Sequence, residues 1–294
     1  MTCAHHDPRH HDTRRHARGR DERAAMNVKH LVKRISLTAD AVVRPPTGIT
    51  VLIYHRVGGG TTSAVDLDPS AFEAQLARLA AQHRVITLEA SLAELAAPPS
   101  AEHDRGVVLT FDDGTDDFTD VAVPALVRHG LPATLYAATQ FIEEGTDFPW
   151  GARPTSWSAL RDAVSTGLIT VGSHTHSHSL LDRLDRSAVE ADLDRSIELI
   201  GEHIGIRPQD FAYPKAVPGC PAAEVAVRRR FRSAALAASR VNRPGGTDIH
   251  RLWRTPVQRS DGDEFFAAKA AGGLRLEGEL RGLAARVRYR GATR

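Results

Sequence analysis

A chain of 294 residues, 41% hydrophobic and 25% charged, has the composition of an ordinary globular protein and is long enough to bury one sizeable core. It has no run of about 18 apolar residues to span a bilayer, and its two cysteines, Cys3 and Cys220, offer neither a disulfide framework nor a Cys-x-x-Cys ligand pair. Net charge is only +2, yet residues 226–294 hold 16 Lys and Arg against 6 Asp and Glu. A basic surface of this kind could meet anionic lipid, a nucleotide diphosphate or nucleic acid. A solvated face is the simpler reading, and no specific nucleic-acid partner is expected.

Residues 1–25 carry five histidines and six arginines without periodicity and read as a disordered tail. They lack the apolar core of a secretory signal, so a cytoplasmic protein is expected. Residues 26–47 read as a helix and linker: Leu31, Ile35, Val42 and Val43 make a partial helical stripe beside Lys29, Lys33 and Arg34, and Pro45-Pro46-Thr47-Gly48 leads into the main domain. Such a helix could rest on a membrane surface as a peripheral contact, although packing of the stripe on the main domain is the plainer expectation. Between Asp68 and Glu94 the pattern predicts a helix with Phe72, Leu76 and Leu79 facing the core, a strand over 84–88 and a second helix. The alternation continues past Asp210 and argues for parallel strands. One main domain is expected over 48–260, followed by a basic extension over 261–294 in which Phe265-Phe266 starts a terminal helix.

Residues 107–111 form an apolar run that reads as a buried strand, ending where Asp112-Asp113-Gly114 begins. Alternating side chains send the two carboxylates in different directions. One can therefore ligate a divalent cation while the other stays free to take a proton, the division of labour that metal-assisted hydrolysis requires. Residues 168–171 read as a second strand. Beyond it, Gly172-Ser173-His174-Thr175-His176-Ser177-His178 is too polar for a helix interior, and imidazoles on such a turn could reach the same ion at about 2.0–2.1 Å. One Asp and two His with an open fourth position make the ligand set of a catalytic zinc site, although cobalt, nickel or iron would also suit. Alone, the first motif is turn chemistry and the second a polar loop. Both following strands, they point to chemistry at the carboxyl ends of barrel strands.

The strings Thr110-Phe111-Asp112-Asp113-Gly114, then 172–178, then Phe211-Ala212-Tyr213-Pro214 resemble, in order and spacing, the motifs of the polysaccharide deacetylases, also called carbohydrate esterase family 4. Residues 51–57 resemble the first strand of one branch, 133–136 the strand after the first motif, and 156–167 the helix before the histidine motif. The resemblance implies an α/β fold, a distorted and incomplete (β/α) barrel. It implies a metal-dependent hydrolase removing acetyl groups, foremost N-acetyl groups, from a sugar, glycan or sugar conjugate by attack of metal-bound water. By the same resemblance Asp113, His174 and His178 hold the ion, zinc foremost, and Asp112 is the base. Thr175, Tyr213 and Pro214 lie on the substrate side, and the N–H of Lys215 holds the oxyanion.

Two departures matter. Ala212 stands where many members carry an arginine, and Arg254, in Leu252-Trp253-Arg254-Thr255-Pro256-Val257, is the expected replacement that orients Asp112. The family's late histidine motif is absent, leaving His55 and His176 as candidates for the proton donor. These departures leave room for a catalytically idle relative that binds carbohydrate through the same cleft. The retained Asp112 argues against it, because a binding module has no use for a free base.

Overall fold

The computed structural model describes residue 28 and residues 30–43, 46–98 and 105–289, with side chains as far as residue 284. The tail expected over 1–25 lies outside them, as does part of the expected linker. Short apolar runs alternate with helices along the chain, and parallel strands need such crossovers to run in the same direction. The strands are β1 (Gly48–Tyr54), β2 (Arg56–Val57), β3 (Asp66–Leu67), β4 (Arg105–Asp113), β5 (Ala133–Ala137), β6 (Ile169–Ser173), β7 (Asp210–Ala212), β8 (Ser233–Ala235) and β9 (Arg254–Pro256). Seven form one parallel sheet in the order β8-β7-β6-β5-β4-β1-β9, and β2 and β3 pair separately. The Leu236 N–H donates to the Leu252 carbonyl at 2.8 Å and the Ala238 N–H to the Arg254 carbonyl at 2.9 Å. These bonds stitch the β8 edge to the β9 edge, so the sheet nearly closes into the expected distorted barrel.

The helices are α1 (30–42), α2 (Pro69–Gln82), α3 (Leu88–Ala96), α4 (Val123–His129), α5 (Thr139–Glu144), α6 (Trp157–Ser165), α7 (Arg186–Ile204), α8 (Pro221–Arg230), α9 (Gly262–Ala270) and α10 (Arg275–Tyr289). Leu52, Leu109, Phe111, Leu135 and Val171 face outward and pack with Phe72, Leu76 and Leu79 of α2 and with Leu126, Leu160 and Leu199 of the outer helices. Ile49, Val51, Val108 and Tyr136 face inward and meet Leu88 and Leu95, so α3 plugs the amino-terminal end of the barrel. The carboxyl-terminal end is left for chemistry.

Two expectations are corrected. Residues 84–88 are not a strand: only Val85 bridges to Val107, and the Thr87 hydroxyl accepts the Ala90 N–H at 3.0 Å as the cap that starts α3. A Thr at the front of Leu88, Leu92 and Leu95, three apolar positions at helical spacing, works as a cap and not as a β-former. The stripe of Leu31, Ile35, Val42 and Val43 does not pack on the barrel and is exposed. α1 is held instead by buried Lys33, whose ammonium donates to Asp261 at 2.6 Å, and by buried Ser36. Lys269 converges on the same carboxylate at 2.8 Å. Phe266 and Ala270 of α9 belong to the main core, so the chain just beyond residue 260 is packed as an outer helix of the barrel.

Candidate metal centre at the carboxyl end of the barrel

β4 runs two residues further than the apolar pattern suggests and carries both aspartates at its end. Asp112 follows the strand alternation and points into the barrel with Thr110. Asp113 should point outward with Phe111, but its φ is 75°, a left-handed conformation that non-glycine residues rarely adopt. That twist returns its carboxylate to the mouth. Both side chains are buried, and Gly114, at φ 94°, completes the turn.

β6, separated from β4 by β5, delivers the histidine loop to the same end of the sheet. Asp113 Oδ1 lies 3.3 Å from His178 Nε2 and 3.6 Å from His174 Nε2, and ligand atoms of the three residues all fall within 4.8 Å of one another. Metal bonds of about 2.0–2.1 Å in a tetrahedron require ligand atoms roughly 3.3 Å apart, so this donor set fits a divalent ion. His174 is oriented as a ligand must be. Its Nδ1 lies 2.8 Å from the Ala212 carbonyl, which can only accept, so the proton sits on Nδ1 and Nε2 keeps its lone pair. Burial, outweighing the nearby Asp112 charge, pushes the His174 pKa down to about 4, and the imidazole is neutral at neutral pH. Burial also acts to raise the Asp113 pKa. The His178 hydrogen bond and the surrounding histidines overcome it and hold the carboxyl below the usual range.

The backbone is strained at the ends of β4, β6 and β7, around the site. Asp113, Thr175 (φ 69°), His178 (φ 57°), Lys215 (φ 53°) and Ala216 (φ 55°) are left-handed, and among the described residues only Leu274 shares that conformation elsewhere without being glycine. Each such residue costs on the order of 1–3 kcal/mol and persists only where its surroundings impose it. Here the restraints are visible. Ala138 N–H donates to the Asp113 carbonyl at 2.9 Å, Gln140 N–H to the His176 carbonyl at 2.9 Å, and Asp192 of α7 accepts the His176 N–H at 2.6 Å and the Ser177 N–H at 3.2 Å. Sequence reading misses Asp192. The available signal is an acid within the buried stripe Val189, Leu193, Ser196 and Ile197 of an amphipathic helix.

Arg254 reaches Asp112 from β9. It is fully buried and clamps the carboxylate with both terminal nitrogens, at 2.6 and 2.9 Å, while its Nε donates to the Leu236 carbonyl at 3.2 Å. The Tyr136 ring backs the guanidinium at 5.0 Å, and Gly172 makes room for that ring, since a Cβ there would come within 2.7 Å of it. Burial raises the Asp112 pKa, but Arg254 foremost, then His174 and His55, lower it below the usual carboxylate range. The guanidinium on Asp112 thus comes from β9 and not from β7, which ends at Ala212.

Tyr213 and Pro214 are buried, with the Tyr213 ring against Phe211 at 5.0 Å, and Thr175 is buried with an unpartnered hydroxyl. Among the described residues no acceptor takes the N–H of Lys215. His55 follows β1, and its buried Nδ1 has no partner. Its loop is pinned by Asp117, which accepts the Val57 N–H at 2.9 Å. His176 Nδ1 is engaged with the Thr139 hydroxyl at 3.0 Å, and His250 lies against the Phe231 carbonyl at 3.0 Å. Trp150, also missed from sequence, is 43% exposed with its ring 5.5 Å from that of His178, stacked on Phe148 at 4.9 Å, which in turn stacks on Phe141 at 4.3 Å.

Residues 100–228 match the family model described as polysaccharide deacetylase. A chitooligosaccharide deacetylase of Rhizobium leguminosarum bv. trifolii is 25% identical over 194 residues, covering 64% of this chain and 77% of that protein. The solved structure of IcaB from Ammonifex degensii is 26% identical and superposes with a TM-score of 0.67 over 77% of this chain and 98% of its own. The Streptococcus pyogenes deacetylase PplD, solved in complex with acetate, shares the fold at 19% identity and a TM-score of 0.67, over 76% of this chain and 99% of its own. Over residues 100–228 the chain thus matches the polysaccharide deacetylase family, and its barrel is shared with solved structures that include a deacetylase.

Proposed function

We propose that this protein is a metal-dependent deacetylase of an N-acetylated sugar, glycan or sugar conjugate. Asp113, His174 and His178 would hold the divalent ion, zinc or another metal that accepts two imidazoles and a carboxylate. An ion held there supplies Lewis-acid chemistry, polarising the acetyl carbonyl and making water more acidic. The observation that carries the reading is the fork of Arg254 on Asp112, 2.6 and 2.9 Å, immediately beside the ligand cluster. A carboxylate kept ionised and aimed, yet outside the ligand set, is what a general base needs.

In this scheme Asp112 takes the proton of the attacking water, and the free N–H of Lys215 donates to the oxygen that gains negative charge. His55 passes a proton to the departing amine. With their side chains buried, Thr175, Tyr213 and Pro214 act through the backbone they shape. Trp150 offers an apolar ring face for a sugar beside the metal ligands. The test is acetate release from a panel of N-acetylglucosamine oligomers, with and without a chelator. Release that stops with chelator and returns with added metal is expected, and undiminished release from fully chelated protein would overturn the reading.

A further inference from the structure

Among the described residues, the large hydrophobic side chains left exposed are concentrated on two helices. Leu31 is 59% exposed, Ile35 50% and Val42 81% on α1, while Leu276, Leu280 and Leu283 are 42%, 45% and 57% exposed on α10. Neither helix holds the barrel through these residues. α1 is anchored by Lys33, Ser36 and Asp40, and its Ser36 hydroxyl accepts the Glu277 N–H at 2.8 Å. At about 100° per residue, Leu31, Ile35 and Val42 lie on the opposite side of the helix from that anchor. α10 turns buried Glu277 and Gly278 inward, with Gly278 against Ser239, so Leu276, Leu280 and Leu283 line its outer face.

Charge distinguishes the occupants such faces could take. Outside the inward pairs Lys33–Asp261 and Arg281–Glu277, residues 28–44 carry three Lys and Arg against one Asp, and residues 275–294 carry five Arg against one Glu. Arg34 is 61% exposed beside the α1 stripe. A second copy of this chain, docked about a two-fold axis, would bring basic flank against basic flank. Anionic headgroups would instead neutralise the flanks while the leucines enter the boundary with the acyl chains. None of the described helices is long and apolar enough to cross a membrane, so they would lie in its surface. We infer that α1 and α10 form a platform that seats this protein on an anionic phospholipid bilayer.

The test is co-sedimentation of the full chain with vesicles of phosphatidylglycerol and phosphatidylcholine in equal parts, and with phosphatidylcholine alone. Wild-type protein should pellet with the anionic vesicles, more weakly as salt is raised and poorly with the neutral ones. The pairs Leu31→Glu with Ile35→Glu, and Leu280→Glu with Leu283→Glu, should each lower the partition coefficient by about tenfold or more, with the thermal midpoint unchanged because these side chains are exposed. Wild-type protein that stays in the supernatant with anionic vesicles would overturn the inference, as would glutamate variants that bind like wild type. A wild-type dimer that the same substitutions split, with no vesicle binding, would assign the faces to a second copy and also overturn it.

Discussion

Replacing Arg254 probes both the stability of the barrel and the proposed role of the carboxylate it holds. The guanidinium is fully buried and makes two charge-assisted bonds to Asp112, at 2.6 and 2.9 Å, with further contacts to Leu236 and Thr110. Breaking a buried pair from one side leaves an uncompensated charge and costs about 3–5 kcal/mol, a large part of a domain's usual stability. Arg254→Ala should therefore unfold at lower urea. Arg254→Lys keeps a charge but cannot form the fork, and is the variant to use where Ala fails to fold. Turnover should fall by about 100-fold or more in either folded variant, because a misaligned or protonated Asp112 loses much of the roughly 10²–10⁴-fold contribution of a general base. Metal content should match wild type. In the wild type, burial raises the Asp112 pKa and Arg254 is the foremost group lowering it, so weakening the pair moves the acid limb of kcat/KM to higher pH. A merely structural arginine would not shift that limb. Wild-type turnover in folded Arg254→Ala, or an unmoved acid limb in both variants, would refute the reasoning.

The His174 pKa is held at about 4 by burial against an ordinary 6.5, so between those values the unfolded chain takes up a proton that the folded chain does not. Stability of the metal-free protein should then fall by about 3 kcal/mol as pH drops through that window, and urea midpoints of wild type and His174→Gln should differ in slope; equal slopes would count against it. Trp150→Ala should raise KM about tenfold with little change in kcat, and Trp150→Phe should restore it; an unaltered KM in Trp150→Ala would remove the ring from substrate binding. Asp192→Ala should weaken metal binding by about 10–100-fold through the loosened histidine loop, with activity recovered by excess metal. Wild-type metal affinity in that variant would deny Asp192 its positioning role.

The parts legible in the sequence are those with local periodicity. The apolar run of β4 and the polar loop after β6 mark strand ends directly, and Phe72, Leu76 and Leu79 announce the inner face of α2. What is not legible depends on long-range partners. Nothing around Asp113 states that its backbone turns left-handed, because the Ala138 N–H that helps hold it belongs to the next strand's end. Thr87 reads as a β-former until α3 is seen to need a cap. The α1 stripe looks like a packing face, yet a buried Lys33 wins through Asp261, more than two hundred residues away. Arg254 is legible because its motif resembles a known late strand, whereas Asp192 and Trp150 sit in no motif.

The central claim, that Asp113 ligates and Asp112 accepts a proton, is tested most directly in Asp112→Asn. Metal content by plasma emission and acetate release should be measured on one preparation. The amide keeps the shape of the carboxylate but cannot take the proton, so metal equal to wild type and a kcat lower by about 10²–10⁴-fold are expected. Loss of the ion would make Asp112 a ligand, and an unchanged kcat would remove it from the reaction.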